Sequence, residues 1–197
     1  MRENFVYRYG RNLYVNLTNR CPNHCSFCIR QNGDGIGDSG CLWLDREPSA
    51  EECIRLIDLA GEYEELVFCG YGEPTCRVDA MLAIARREKN NGHRIRLNTN
   101  GLGNLICGRD ITKELCGVID IISVSLNAAD RDAYDRLCKS DFGPEAFDAM
   151  IDFAKKCKDN GAETVMSVVD VDGADVEKCR EIARSANIKL RVRDYIP

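Results

Sequence analysis

Three closely spaced cysteines are the residues of this chain best suited to chemistry. Cys21, Cys25 and Cys28 are separated by three and then two residues, directly after the strand-like run from Leu13 to Leu17. Thiolates are soft ligands that favour zinc, copper(I) and iron–sulfur clusters, and a [4Fe–4S] cube is normally held by Cys thiolates at its corners. Three thiolates on one loop could hold three corners and leave the remaining iron open to a small molecule.

Two other interpretations of this loop stay open. A zinc ion would need a fourth ligand, and His24 is poorly placed because it lies directly beside Cys25. Structural zinc sites usually take their ligands in two separated pairs, and the sequence contains no second C-x-x-C. Alternatively, Cys25 and Cys28 could form a redox pair, which leaves Cys21 unexplained. The spacing favours the iron–sulfur cluster, with zinc as the main alternative.

The composition narrows the class of protein. The chain has 197 residues, 44% of them hydrophobic, which predicts one domain spanning residues 1–197. No apolar run is long enough for a membrane span and the N-terminus does not begin a signal peptide, so we expect a soluble, cytoplasmic protein. A net charge of −5 gives no general attraction to phosphate backbones, so nucleic acid is an unlikely partner.

The twelve cysteines also predict a compartment. Without a secretion signal they indicate a reducing cytosol rather than a disulfide framework. Four of the other nine fall on apolar faces of predicted helices, where Cys behaves as a small hydrophobe. We expect these four to fill the core: Cys53, Cys138, Cys157 and Cys179.

Helices and strands alternate along the chain, which indicates βα units and a parallel sheet. Residues 1–10 read as an irregular arm or a short edge strand, and Ser49 with Glu52 marks the start of a helix. Because an eight-fold barrel needs about 250 residues, we predict an α/β fold with a partial (β/α)6 TIM-type barrel of parallel strands; a flat doubly wound sheet is the alternative. The six predicted strands are Leu13–Leu17, Leu66–Cys69, Ile95–Thr99, Ile119–Leu126, Thr164–Val169 and Ile188–Val192.

Residues 29–47 form a second notable segment. They are rich in glycine and aspartate, which predicts a long mobile loop of the kind that often covers a site. Trp43 near its end is expected to pack this loop down rather than to stack on a ligand. Arg20 and Arg30 flank the cysteines and are interpreted as solvated surface residues, although either could offset negative charge on the loop.

Polar residues follow the carboxyl ends of the next strands, where α/β sheets place their ligands. Gly72-Glu73-Pro74 comes after the second predicted strand. Asn98 and Asn100 end the third strand, and Ser125 and Asn127 end the fourth. The Asn100-Gly101 pair could equally be a simple turn.

Taken together, these residues resemble the radical S-adenosylmethionine (radical SAM) superfamily over nearly the whole chain. The resemblance is carried by the C-x-x-x-C-x-x-C loop, with Phe27 just before its last cysteine, and by Gly72-Glu73-Pro74. It implies a [4Fe–4S] cluster on Cys21, Cys25 and Cys28 that cleaves S-adenosylmethionine reductively to a 5′-deoxyadenosyl radical, which then takes hydrogen from an unidentified substrate. The electron would come from a donor such as flavodoxin or ferredoxin.

The resemblance also implies roles for the other residues. Gly72, Glu73 and Pro74 would receive the methionine amino group, and Val168 and Val169 would lie near the adenine. The segment from Asp170 to Gly173 departs from the family's glycine-containing adenine motif. Four residues would hold the ribose and the methionine carboxylate: Asn98, Asn100, Ser125 and Asn127.

Within the superfamily the chain is similar to the TatD-associated radical SAM proteins. That likeness rests on the segment from Asn16 to Arg20, on Leu42-Trp43-Leu44 and on the segment from Val124 to Ala128. It does not choose between a small-molecule and a peptide or protein substrate. The alternative from a different class is a non-catalytic iron–sulfur or zinc protein, or an assembly protein, that uses Cys21, Cys25 and Cys28 structurally.

Overall fold

A computed structural model, in which residues 4–195 are described, places seven strands in one sheet. The first strand runs antiparallel to the second, and all the others are parallel. The predicted edge strand is therefore confirmed, while residues 1–3 of the predicted arm lie outside the described residues. The strands are β1 (Val6–Tyr9), β2 (Asn12–Val15), β3 (Glu65–Phe68), β4 (Arg94–Thr99), β5 (Ile121–Ser125), β6 (Glu163–Asp170) and β7 (Lys189–Asp194).

Seven α-helices connect these strands in the described part of the chain. Among these residues no helix is long and apolar enough to cross a lipid bilayer. Short 3-10 turns cover residues 29–31, 37–39 and 74–77. The helices are α1 (Ala50–Leu59), α2 (Val78–Asn90), α3 (Gly103–Cys107), α4 (Thr112–Cys116), α5 (Arg131–Cys138), α6 (Glu145–Asp159) and α7 (Val176–Ser185).

The order of the strands decides the architecture. From β1 to β7 the strands lie side by side in the order of the sequence. A doubly wound sheet reverses its order near the middle, whereas right-handed crossovers in one direction leave the helices on one face and curl the sheet. The sequential order therefore fits the predicted open, partial barrel and does not fit the doubly wound alternative.

The two faces of the sheet differ in polarity. Neighbours in register share a face, so Val124, Met166 and Leu190 lie on the side that packs against the helices. Ser125 and Ser167, one position further along, point to the opposite, concave face. Side chains alternate along a strand, so the same strands supply both an apolar core and a polar concave surface.

The cysteines predicted as core residues are buried as expected. Their exposed fraction is 0% in each case, and they pack within the main apolar cluster. Burying a small apolar side chain of this kind favours folding. The four residues are Cys53, Cys138, Cys157 and Cys179.

Candidate functional site

The predicted ligands lie on one loop at the carboxyl edge of the sheet. This cysteine loop, residues 18–30, follows β2 and is held from two sides. On one side the backbone N–H of Glu73 donates to the carbonyl of Arg20 at 2.8 Å. On the other, the N–H of His24 donates to the carbonyl of Cys138, also at 2.8 Å. The loop therefore bridges the end of β3 and the end of α5.

The three thiols of this loop share one electrostatic environment. Burial, and after it the nearby Glu73 carboxylate, raises the pKa of Cys21 to about 12. Burial also raises the pKa of Cys28, while the Arg30 guanidinium lies close enough to lower the pKa of all three thiols. Thiols must lose their protons to bind a metal. Because burial disfavours the negatively charged thiolates, a cationic centre would supply the positive charge that stabilises them.

A fourth thiol contacts this loop. Cys138, at the end of α5, is fully buried and hydrogen-bonds with Cys25, and this bond together with burial raises the pKa of Cys25. The sequence pattern identified Cys138 only as a core residue, because its distance along the chain from Cys25 hides the contact. Among residues 4–195 no group of three His, Cys, Asp or Glu side chains is arranged to hold a metal ion. Cys138 is a further thiol in contact with one of the three predicted ligands.

Gly72 permits a close backbone contact between the segment after β3 and the cysteine loop. A Cβ atom at this position would overlap the carbonyl oxygen of Thr18 and lie 2.6 Å from that of Arg20. Real Cβ atoms do not approach backbone oxygens this closely, so only glycine fits. Pro74 then begins the short turn over residues 74–77. The predicted Gly-Glu-Pro segment thus lies directly against the predicted ligands.

The Glu73 carboxylate is buried, with only 3% of the residue exposed. Its Oε1 accepts hydrogen bonds from the backbone N–H of Thr75 at 3.1 Å and from the hydroxyls of Thr75 and Thr99, each at 2.7 Å. Its Oε2 accepts from the N–H of Asn100 at 2.7 Å. Burial raises the pKa of Glu73, while these bonds oppose that shift. No cation in the described chain pairs with this carboxylate.

The residues at the end of β4 serve two purposes. Asn98 hydrogen-bonds with the Cys69 thiol on the concave face. The side-chain amide of Asn100 lies 3.9 Å from the Cys21 sulfur, and its Oδ1 accepts from the N–H of Leu102 at 2.9 Å. Asn100 therefore forms the turn that the Asn100-Gly101 pair also predicted, and its side chain reaches the cysteine loop as well.

The last residue of β5 and the residues that follow it also lie at the carboxyl edge of the sheet. Ser125 lies on the concave face, in register with Ser167 of β6. Asn127 has a left-handed backbone with φ of 57°, and its buried side-chain Oδ1 has no hydrogen-bond partner among residues 4–195. A buried oxygen without a donor is unfavourable. A ligand hydroxyl could satisfy it.

Val168 does not join the other predicted residues. Its side chain is fully buried in the apolar cluster on the helix side of the sheet, because it occupies the alternate position along β6. Its neighbour Val169 lies on the concave side instead.

Phe27 lines a cavity of about 420 Å³ between the cysteine loop and the end of β6. The other lining residues are Ser26, Leu137, Asp170, Val171, Asp172 and Tyr195.

The loop of residues 29–47 is tied to the barrel by asparagines. The side chain of Asn16 donates to the carbonyl of Leu42 at 2.7 Å. Asn19 donates to the carbonyl of Leu44 at 2.8 Å and accepts from its N–H at 3.1 Å. The structure thus shows specific anchoring where the sequence predicted a long mobile segment. The composition did not reveal the anchors because they lie outside the loop.

Trp43 packs the loop down, as predicted. Its ring meets Tyr71 edge-on with centroids 5.0 Å apart, and the Arg30 guanidinium lies 5.5 Å from its centroid. Arg30 also donates to the carbonyls of Asn19 and Tyr71. The prediction of a solvated arginine is therefore wrong for Arg30. Arg20 is largely exposed, as predicted, and pairs with Glu47 at 2.7 Å.

Comparison with known proteins gives one family. The family model described as "Radical SAM superfamily" matches residues 15–186. Among curated proteins, the chain is 26% identical over 195 residues to Molybdenum cofactor biosynthesis protein 1 of Dictyostelium discoideum, covering 96% of this chain and 29% of that protein. It is 30% identical over 148 residues to GTP 3′,8-cyclase of Corynebacterium glutamicum, covering 68% and 35% respectively.

The fold is shared with solved structures. Streptococcus suis SuiB bound to the precursor peptide SuiA superposes with a TM-score of 0.73 at 16% identity, over 95% of this chain and 40% of SuiB. This likeness concerns the fold alone. The chain spans about a third of the length of the two curated relatives.

Proposed function

Since this chain belongs to the radical SAM superfamily, we propose that it is an enzyme that holds a [4Fe–4S] cluster on Cys21, Cys25 and Cys28 and binds S-adenosylmethionine beside it. The observation that carries the proposal is a chain of contacts across the site. Asn100 donates its backbone N–H to Glu73 at 2.7 Å and reaches the Cys21 sulfur with its side chain at 3.9 Å. The segments after β2, β3 and β4 therefore meet at one place.

The chemistry belongs to the cofactors. A cluster held by Cys21, Cys25 and Cys28 would supply the electron for reductive cleavage of S-adenosylmethionine, and the radical chemistry that follows would remove a hydrogen atom from the substrate. The protein's residues hold the reactants and exclude water. A flavodoxin or ferredoxin in a reducing cytoplasm would be the electron donor, in keeping with free cysteines throughout the described chain.

Glu73 fits the methionine amino group. The carboxylate is buried with no cation beside it, and an ammonium would neutralise its charge. Its Oε2 accepts only the bond from Asn100, so it retains capacity for another donor. Backbone carbonyls near Gly72 would complete the set of acceptors. Pro74 stiffens the turn that presents them.

Polar residues at the carboxyl ends of β4 and β5 fit the rest of S-adenosylmethionine. Asn98, Ser125 and Asn127 offer amides and a hydroxyl, which suit a neutral sugar and a carboxylate. The adenine would occupy the cavity beside Phe27, whose volume of about 420 Å³ is in the range of small-ligand sites. The substrate would bind over the concave face of the open barrel. Small molecules and peptides are both candidates, since relatives and structural neighbours are named for GTP and for a precursor peptide.

One contact favours a second candidate function. Because Cys138 hydrogen-bonds with Cys25, it could act as a fourth ligand and close the site around a structural cluster or a zinc ion. That protein would bind metal without cleaving S-adenosylmethionine. The two functions therefore differ in what Cys138 does.

Replacing each cysteine separately tests the proposal. Anaerobically reconstituted wild-type protein should carry about four irons per chain, and S-adenosylmethionine should change the electron paramagnetic resonance spectrum of the reduced cluster. Cys25→Ala should lose the cluster, whereas Cys138→Ala should keep both the iron and the spectral change. Two results would support the structural alternative. One is a folded Cys138→Ala variant that has lost its iron, and the other is a wild-type spectrum that does not change when S-adenosylmethionine is added.

A further inference from the structure

Two arginines on the last strand lie inside the open barrel. Arg191 is in register with Ser167 of β6, and Arg193 is in register with Val169, so both occupy the concave face. Arg193 also interacts across the barrel with the thiol of Cys69, which directly follows β3. The pair therefore faces the space where we propose that the substrate binds.

Arg193 differs from the other partly buried arginines of the described chain. Among residues 4–195, Arg193 has no ion-pair or hydrogen-bond partner, and its Nε is buried. The exposed Arg191 likewise has no carboxylate partner among residues 4–195. The remaining partly buried arginines are all satisfied by carboxylates or carbonyls: Arg30, Arg77, Arg87 and Arg96.

This arrangement is electrostatically unfavourable as it stands. Taking a guanidinium out of water without a counter-charge opposes folding, and the neighbouring Arg191 adds like-charge repulsion. Both burial and Arg191 lower the pKa of Arg193 for this reason. An anion between the two side chains would remove the repulsion and satisfy the buried N–H group.

We propose that Arg191 and Arg193 form an anion subsite that binds a carboxylate or phosphate group of the substrate. The inference rests on the proposed function, because it assigns the substrate class of the same barrel. Guanidinium groups bind both anions through paired N–H donors. Ser167, which is in register with Arg191, lies on the same face.

Binding of simple anions tests the subsite without any turnover. Isothermal titration calorimetry on the reconstituted full chain, at constant low ionic strength, would use inorganic pyrophosphate and succinate as probes. Wild-type protein should bind at least one of them, and the double variant R191M/R193M should bind it about tenfold more weakly or worse. Tighter binding of pyrophosphate assigns a phosphorylated substrate, and tighter binding of succinate assigns a carboxylate. Arg193→Lys, which keeps the charge, should lose less affinity than Arg193→Met.

The matched control is Arg184→Met, which removes the same charge from an exposed position on α7. It should bind the probes within about twofold of the wild type. Three results would overturn the subsite: no binding by the wild type, equal binding by the folded double variant, or an equal loss of affinity for S-adenosylmethionine. The last would assign the arginines to the methionine carboxylate. Anion binding by a protein that never cleaves S-adenosylmethionine would contradict the proposed function alone.

Discussion

At the scale of single residues, the site is built around charges that lack their counterparts. Within the described part of the chain, Glu73 is a buried carboxylate without a cation, and Arg193 is a partly buried cation without an anion. The sequence could identify Glu73 from its position after a strand and beside Gly72. It could not identify the contact between Cys25 and Cys138, because residues distant in sequence meet there only through the fold.

Replacing Glu73 by Gln should weaken both the fold and cofactor binding. An amide would place an NH2 group where the carboxylate now accepts four hydrogen bonds, so at least one donor would lose its partner. We expect the free energy of unfolding, measured in urea, to fall by about 1–3 kcal/mol, and we expect the Kd for S-adenosylmethionine to rise about tenfold. Glu181→Gln, on the exposed surface of α7, should change neither quantity. Unchanged binding by Glu73→Gln would contradict the assigned role.

Gly72→Ala should displace the cysteine loop. The added methyl group would overlap the carbonyl of Thr18, and the backbone must move to relieve it. We expect a lower melting temperature and fewer irons per reconstituted chain than in the wild type. Gly33→Ala is the control, because nothing lies within 4 Å of a Cβ at that position. Full iron content in Gly72→Ala would show that the close contact is not required.

At the scale of elements, local signals predicted where α1 begins and that residues 29–47 form a loop, but they did not predict the contacts that hold this loop in place. The Ser49–Glu52 capping box is present at the start of α1, because it depends only on neighbouring residues. The loop of residues 29–47 depends instead on Asn16, which directly follows β2, and on Asn19 in the cysteine loop. Glycine and aspartate content therefore indicated mobility where the structure shows specific anchors.

Asn19→Ala should release this loop. The side chain of Asn19 makes two hydrogen bonds to the backbone of Leu44, and no methyl group can replace them. Limited proteolysis should cleave the Gly- and Asp-rich segment of residues 33–40 several times faster than in the wild type. Asn91→Ala, an exposed position after α2, should leave the rate unchanged. Equal rates in Asn19→Ala and the wild type would show that other contacts suffice.

The capping box also predicts a pH dependence. A hydrogen bond from Arg46, followed by one from the backbone of Ser49, lowers the pKa of Glu52 from 4.5 to about 2. Since the folded pKa is the lower one, the stabilisation is present above pH 4.5 and is lost as the pH falls towards 2. Glu52→Gln should therefore melt below the wild type at pH 7, and the difference should shrink on acidification. A difference that stays constant with pH would contradict this origin.

At the scale of the whole molecule, the fold follows from two features: strands and helices alternate along the chain, and the strands lie in the sheet in the order of the sequence. Six parallel strands were predicted from apolar runs between helices, and all six are present. Periodicity could not distinguish a partial barrel from a doubly wound sheet, because both use the same βα units. The order of the strands in space makes that distinction. The register of β7 with β6 places Arg191 and Arg193 on the concave face.

The most direct test of the central claim is the amount of 5′-deoxyadenosine released when anaerobically reconstituted protein meets dithionite and S-adenosylmethionine. If only three thiolates hold the cluster and one iron stays open, the wild type and Cys138→Ala should both release 5′-deoxyadenosine, and Cys25→Ala should release none. A wild-type protein that holds its full iron content and releases no 5′-deoxyadenosine would contradict the claim.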